Sequence, residues 1–265
     1  MAAPKPSFIL CFDFDGTLVH PESDPAFHPA LAEMIKHLRR QGAAWVINTG
    51  RSLGQTLQGL AQYGLFMEPD FIIAQECNIY KPGVLTRWKD YGSWNKLARR
   101  AHERFVRDHQ RSIDAIQEMV ETQTRAKFIT GDSGEFGIVA ETDEELDSIC
   151  ATIDAHRQEF PDIGYQRNGI YLRFAHSGYS KGTALAELTR LLELDSSRVF
   201  AAGDNHNDVS MLDQRVARQI ACPGNALPPI KEHVARQGGF SATRPASEGM
   251  IEALQHFFAG GATGP

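Results

Sequence analysis

The sequence predicts an α/β protein: a parallel sheet flanked by helices, with a smaller α+β unit inserted partway along the chain. Three observations carry this prediction. Over the first 80 residues, short apolar runs alternate with stretches of helical period, the β-α-β-α-β order of a parallel sheet with right-handed crossovers. Between about residues 81 and 177 that rhythm gives way to short runs of antiparallel character around helices, and from Ser180 it returns. The runs on either side also end in Asp, Thr or Gly, at the carboxyl ends where open sheets hold their ligands.

The first strand reads as Phe8–Phe14, FILCFDF, apolar apart from Asp13 and followed by a Gly16-Thr17 turn. A carboxylate at the end of a buried strand is costly unless a cation or hydrogen bonds receive it. Asp13 and Asp15 are two residues apart, so they face one side of the chain and repel each other unless a cation lies between them. An ordinary surface loop holding two acids is the bland alternative, and the flanking Phe12 and Phe14 argue against it. His20–Pro29, rich in Pro, Asp and His, reads as loop. Leu31, Met34, Ile35 and Leu38 then form an apolar stripe that predicts a helix from about Pro29 to Gln41, ended by Gly42. Ala43–Asn48 is a second buried strand, closed by the turn Thr49-Gly50-Arg51. Ser52 is placed to cap a helix through about Tyr63, and Phe71–Ala74 is the third strand.

In the insertion, Trp88 to Arg111 carries an aromatic-rich turn and a basic helix, RRAHERFVRDHQR, read as a solvated surface. Runs near Lys127–Ile129, Phe136–Ala140 and Ile170–Phe174 predict antiparallel strands. Between the last two lies an amphipathic helix from Asp143 to about Arg157, with Leu146, Ile149, Cys150 and Ile153 inward. After Ser180-Lys181 come a helix bearing Leu185, Leu188 and Leu192, then strands at Val199–Ala202 and Gln219–Cys222. A last helix runs from about Gly249 or Met250 to Phe258, with Ser247 as its cap. The predicted domains are therefore 1–80 with 178–265, and an inserted 81–177.

With 265 residues, 42% hydrophobic and 23% charged, the chain has an ordinary globular composition. A net charge of −6 argues against nucleic acid or an anionic membrane as the main partner. Cys11, Cys77, Cys150 and Cys222 form no C-x-x-C pair, which speaks against structural zinc and a disulfide framework and for a reducing compartment. The start MAAPKPS is a poor signal peptide and no window is long and apolar enough to span a bilayer, so the expected location is the cytoplasm.

The predicted strand ends assemble Asp13 and Asp15, Thr49 and Gly50, and, from GDNHND, Asp204, Asn207 and Asp208. Oxygen donors without a His or Cys cluster suit magnesium, which keeps several waters and shares its shell with substrate phosphate. A carboxylate can also act as a nucleophile and form an aspartyl-phosphate. Thr49 and Lys181 can supply the hydroxyl and the cation for the phosphoryl oxygens, Lys181 from the first turn of a helix. Each has a structural alternative: Thr49 as a turn hydroxyl, Lys181 as a solvated lysine, Asn207 and Asp208 as caps of the short helix that follows. His206 is assigned no role, and Arg51 is read as a salt-bridge partner within its loop.

DFDGT at 13–17, TGR at 49–51, SKGTAL at 180–185 and GDNHND at 203–208 are similar, in order and spacing, to the four motifs of the haloacid dehalogenase-like hydrolase superfamily. The insertion after the second motif, the QECNIY turn at 75–80 and GNA at 224–226 resemble the Cof-type branch with a type IIB cap. The resemblance implies a Rossmann-like core with an inserted cap that closes over the site, and a magnesium-dependent phosphatase acting on a small phosphorylated metabolite, with a sugar phosphate the favoured class. It implies that Asp13 attacks phosphorus and that Asp15 acts as general acid and base while its main-chain carbonyl ligates magnesium. Thr49, Gly50, Lys181 and Asn207 would hold the phosphoryl group, and Asp13, Asp15, Asp204 and Asp208 would bind or support the metal. Arg167, Asn168 and Arg173 near the end of the insertion are candidates for reading the leaving group. Two rivals stand beside this reading: a phosphotransferase or mutase of the same superfamily, and a catalytically silent binding protein on its scaffold.

Overall fold

The structure is a computed structural model that describes residues 5–84, 87–130, 136–155 and 163–258. The chain divides into two compact units, Met1–Asn95 with Lys181–Pro265, and Lys96–Ser180.

The first unit is built on an eight-stranded sheet. Its strands are β1 (Phe8–Phe12), β2 (Ala43–Asn48), β3 (Phe71–Ala74), β4 (Asn78–Pro82), β5 (Trp88–Asp90), β10 (Val199–Ala202), β11 (Gln219–Cys222) and β12 (Phe240–Ser241). They lie in the order β12-β11-β10-β1-β2-β3-β4-β5. Pairing is parallel from β12 to β3 and antiparallel for β4 and β5. The central strands are buried on both faces, which is why they read as unbroken apolar runs rather than alternating ones. Successive residues point to opposite sides. Leu10, Phe12, Trp45 and Ile47 pack under α1 (Pro29–Arg40), α2 (Leu53–Gln62) and α7 (Ala246–Phe258). Ile9, Cys11, Val46 and Ile73 pack under α5 (Lys181–Leu191) and α6 (Pro228–Arg236). Each such fully buried large side chain stabilises the fold by about 1.5–3 kcal/mol.

The second unit is a four-stranded antiparallel sheet of β6 (Lys127–Thr130), β7 (Phe136–Val139), β8 (Ile163–Asn168) and β9 (Tyr171–His176), in the order β6-β7-β9-β8. Phe105, Ile113 and Val120 of α3 (Trp94–Gln123) and Leu146, Ile149 and Ile153 of α4 (Asp143–Ala155) pack on Ile138, Leu172 and Phe174.

The structure departs from the sequence reading in several places. β1 ends at Phe12, two residues early, because the chain turns there: the N–H groups of Leu18 and Val19 both donate to the Phe14 carbonyl at 3.0 Å. Residues 81–95 belong to the first unit, since β4 and β5 extend its sheet and Asn95 ties them in with bonds to the Ile79 N–H at 2.7 Å and carbonyl at 3.0 Å. β8, with the sequence IGYQRN, carries no apolar run to announce it. The last helix starts at Ala246, so Ser247 sits inside it, and its hydroxyl accepts instead from the His28 N–H at 2.9 Å. Ser52 does cap α2, in a reciprocal capping box with Gln55. The end of the expected α4 helix, 156–157, lies outside the described residues. All four cysteines are free thiols, and no helix among the described residues is long and apolar enough to cross a membrane.

Candidate active site

The parallel register decides which side chains meet. Phe12 pairs with Ile47 on β2 and with Ala202 on β10, so Asp13, Thr49 and Asp204, which follow these strands, emerge at one end of the sheet. The Asp13 N–H donates to the Ala202 carbonyl at 2.9 Å and keeps the residue in line. Lys181, the first residue of α5, is fully buried, and its carbonyl accepts from Asn48 Nδ2 at 3.0 Å. Its ammonium donates to Asp13 Oδ1 at 2.5 Å and to Asp208 Oδ1 at 2.6 Å. Asp208 closes a short 3₁₀ turn, His206–Asp208, and its Oδ2 accepts from the N–H groups of Asp204 and Asn205, both at 2.9 Å. Asp208 does not cap a helix running on to Leu212: the helical turn ends at Asp208 itself, its N-cap is Asn205, and the carboxylate reaches back to the start of that turn while also facing the lysine. Thr17 Oγ1 donates to Asp204 Oδ1 at 2.8 Å. Gly16 is needed here twice over: its φ is +75°, and a Cβ would lie 2.3 Å from Asp204 Oδ2.

One oxygen from each of Asp13, Asp204 and Asp208 lies within 4.8 Å of the others. Burial pushes the Asp13 carboxyl well above the usual carboxylate range, with Lys181 pulling it down and Asp208 and Asp204 adding to the rise. Burial and then Asp208 push Asp204 up to about 7. Burial also opposes the charge on Lys181, but Asp13, Asp208 and Glu76 outweigh it and hold the ammonium above its ordinary value. Lys181 is therefore charged, and if all three carboxylates ionised they would carry two negative charges that it does not cancel, an excess that burial resists. An oxygen-only set with that excess, shut away from water, fits a hard divalent cation. Asn207 adds a buried Oδ1 with no hydrogen-bond partner among the described residues.

Asp15 lies apart from this cluster. Arg51 grips it with both arms, Nε to Oδ2 at 2.7 Å and Nη2 to Oδ1 at 2.5 Å, while the guanidinium carbon sits 4.9 Å from the centre of the Phe14 ring. Arg51 is thus a salt-bridge partner as expected, but its partner belongs to the first motif. Thr49 is buried, and its hydroxyl oxygen accepts from the Arg51 N–H at 3.1 Å, the turn role of the structural alternative. Gly50 is exposed on the same turn.

The candidates in the second unit separate by strand face. Arg167 pairs with Leu172 and so points toward α4, where it bonds Asp147, Asp143 Oδ1 at 3.1 Å and the Gly169 carbonyl at 3.0 Å. Its guanidinium ties β8 to α4, a structural role for a residue that the sequence offered as a reader of the leaving group. Asn168 and Arg173 point to the opposite face, with Gln166, which accepts from Arg173 at 2.8 Å, and Tyr171. The sequence did not single out Gln166 or Tyr171, nor, near the carboxylates, Thr17, Asn48 and Glu76. Thr17 carries a signal in its motif position; Glu76 looks like any acid in a turn.

Comparison with known proteins places this geometry in context. The family model described as sucrose-6F-phosphate phosphohydrolase matches residues 6–258. The sucrose-phosphatase of Synechocystis sp. PCC6803, solved with sucrose and phosphate, shares the fold with a TM-score of 0.72 at 19% identity, over 95% of this chain and 98% of that one. A haloacid dehalogenase-like hydrolase from Bacillus subtilis does so at 0.63 and 16% identity, over 95% and 92%. In sequence, glucosylglycerol-phosphate synthase of Pseudomonas anguilliseptica is 38% identical over 89 residues, 33% of this chain. Phosphoglycolate phosphatase of Picrophilus torridus is 28% identical over 96 residues, 36% of this chain. These two matches span only 11% and 38% of the relatives' own lengths.

Proposed function

The chain belongs to the sucrose-6F-phosphate phosphohydrolase family of haloacid dehalogenase-like hydrolases, and from that premise we propose that it is a magnesium-dependent phosphatase of a small sugar phosphate. The observation that carries this reading is the buried cluster of Asp13, Asp204 and Asp208 around Lys181, three acids beside one cation.

In the first step an Asp13 oxygen forms a bond to phosphorus as the ester P–O bond breaks, leaving an aspartyl-phosphate. The departing alkoxide takes a proton from Asp15. In the second step water attacks the phosphorus, Asp15 takes its proton, and Asp13 and inorganic phosphate are released. With both carboxylate oxygens of Asp15 held by Arg51, that ion pair must part before Asp15 can pass a proton to an alcohol. Lys181 fixes the attacking carboxylate, and the Thr49 hydroxyl and Asn207 amide offer donors to the phosphoryl oxygens. Magnesium would be held by Asp13, Asp204 and the Asp15 carbonyl, with Asp208 behind them, and when bound it neutralises the charge that gathers on the phosphoryl oxygens. Asn168 and Arg173 are the proposed readers of the leaving group. Support for a sugar as that group comes from the family's description and the sucrose-bound relative.

Asp13→Asn keeps the shape of the side chain and removes its nucleophile. Its hydrolysis of p-nitrophenyl phosphate is expected to fall by about 10³-fold or more with its circular dichroism spectrum unchanged. Appreciable turnover by that variant would rule out covalent catalysis.

A further inference from the structure

The turn after β3 is strained. Gln75 and Glu76 have φ values of 49° and 63°, two successive non-glycine residues in the left-handed region. Glycine would adopt this shape freely. The turn is pinned onto the second motif: the Gln75 N–H donates to the Arg51 carbonyl and the Glu76 N–H to the Thr49 carbonyl, both at 2.9 Å. These bonds need only backbone, so they explain the turn but not the glutamate. The Glu76 side chain is also turned inward. The residue is 5% exposed, and its carboxylate raises the Lys181 ammonium together with Asp13 and Asp208. A fourth acid beside a cluster that already holds three, on a strained backbone, points to a use at the site.

That use is visible at Asn207. Its Nδ2 donates to Glu76 Oε1 at 2.9 Å, while its buried Oδ1 has no partner among the described residues. A carboxylate can only accept, so it dictates which end of the amide faces it. Without Glu76 the amide is free to turn over and exchange donor for acceptor. We infer that Glu76 is a positioning residue that locks the Asn207 amide, leaving its second N–H as a donor for a phosphoryl oxygen and its buried Oδ1 as an acceptor. This rests on the phosphatase reading and adds to it a residue and a reason for the strained turn.

The test compares Glu76→Gly with wild type by thermal unfolding, by kcat/KM for p-nitrophenyl phosphate, and by the shift in Tm that orthovanadate produces in the presence of magnesium. Glycine relieves the backbone and removes a buried acid, so Tm is expected to stay level or rise. The same variant is expected to lose at least tenfold in kcat/KM and most of the vanadate shift. Glu76→Gln, which retains an acceptor for Nδ2, is expected to recover part of both. In an Asn207→Ala background, Glu76→Gly is expected to cost less than a further twofold, because it acts through that amide. The proposal is overturned if Glu76→Gly keeps kcat/KM and the vanadate shift within twofold of wild type. It is equally overturned if its losses come only with a lowered Tm, or if they recur in full without Asn207. A wild-type protein that neither hydrolyses the ester nor responds to vanadate overturns the phosphatase reading itself, and the Glu76 role with it.

Discussion

Two clusters in this molecule share a recipe and differ in surroundings. In the first unit Lys181 bonds Asp13 and Asp208, and in the second Arg167 bonds Asp143 and Asp147. Each sets one cation against an excess of carboxylate. The side chains of Asp143 and Asp147 are 63% and 66% exposed, so water and salt absorb the imbalance there. Around Lys181 the corresponding exposures are 8% for Asp13 and 0% for Asp208, and water cannot serve. Excess negative charge on a surface is a solvation matter; the same excess in a dry pocket must be met by a proton or a cation.

Removing the two cations should break the symmetry sharply. Lys181→Met leaves buried acids without their counter-charge and is expected to cost about 3–5 kcal/mol of stability and all measurable turnover. Arg167→Met removes a partner whose acids turn to solvent, and is expected to cost about 1 kcal/mol with turnover little changed. Urea unfolding and a steady-state assay on the pair measure both effects. Equal stability losses would show that burial does not separate the clusters.

The difference should also depend on pH. Asp204 carries its proton up to about pH 7 in the folded protein, against an ordinary carboxylate value of 3.8 when unfolded. Between those values the folded state binds more protons, so without a cation stability from this group falls as pH rises. Magnesium replaces the proton and is expected to restore what is lost. At 100 times its dissociation constant it stabilises by about 2.7 kcal/mol. The rise in Tm on adding magnesium should therefore be larger at pH 8 than at pH 6. A rise that grows as pH falls would contradict the proton–cation exchange. A smaller effect is expected at Thr17, whose hydroxyl orients Asp204: Thr17→Val should weaken magnesium binding by about tenfold, measured as a shifted midpoint in a magnesium titration.

What was legible in the sequence follows from the same contrast. β2, β3, β10 and β11 are buried on both faces, and continuous apolar runs mark them. β4, β5 and β8 are short or half-solvated, with mixed sequences such as NIYKP and IGYQRN, and nothing in their period sets them apart from loop. At the site, Asp13, Thr49, Lys181 and Asp204 could be named because strand ends and helix starts converge by topology. Arg167 and Arg173 read alike on paper, and only the register of β8 against β9 sends one to the helices and the other to the open face. Glu76 and the Arg51–Asp15 pair depend on contacts between residues 131 and 36 positions apart, which no local pattern encodes.

Isothermal titration calorimetry of magnesium into the protein at pH 7.5, for wild type and Asp204→Asn, addresses the cation demand without any substrate. One saturable site in the wild type, weakened at least tenfold in the variant, is the expected result. Identical binding in the two proteins, or none in the wild type, would contradict the claim that these buried carboxylates exist to hold a divalent ion.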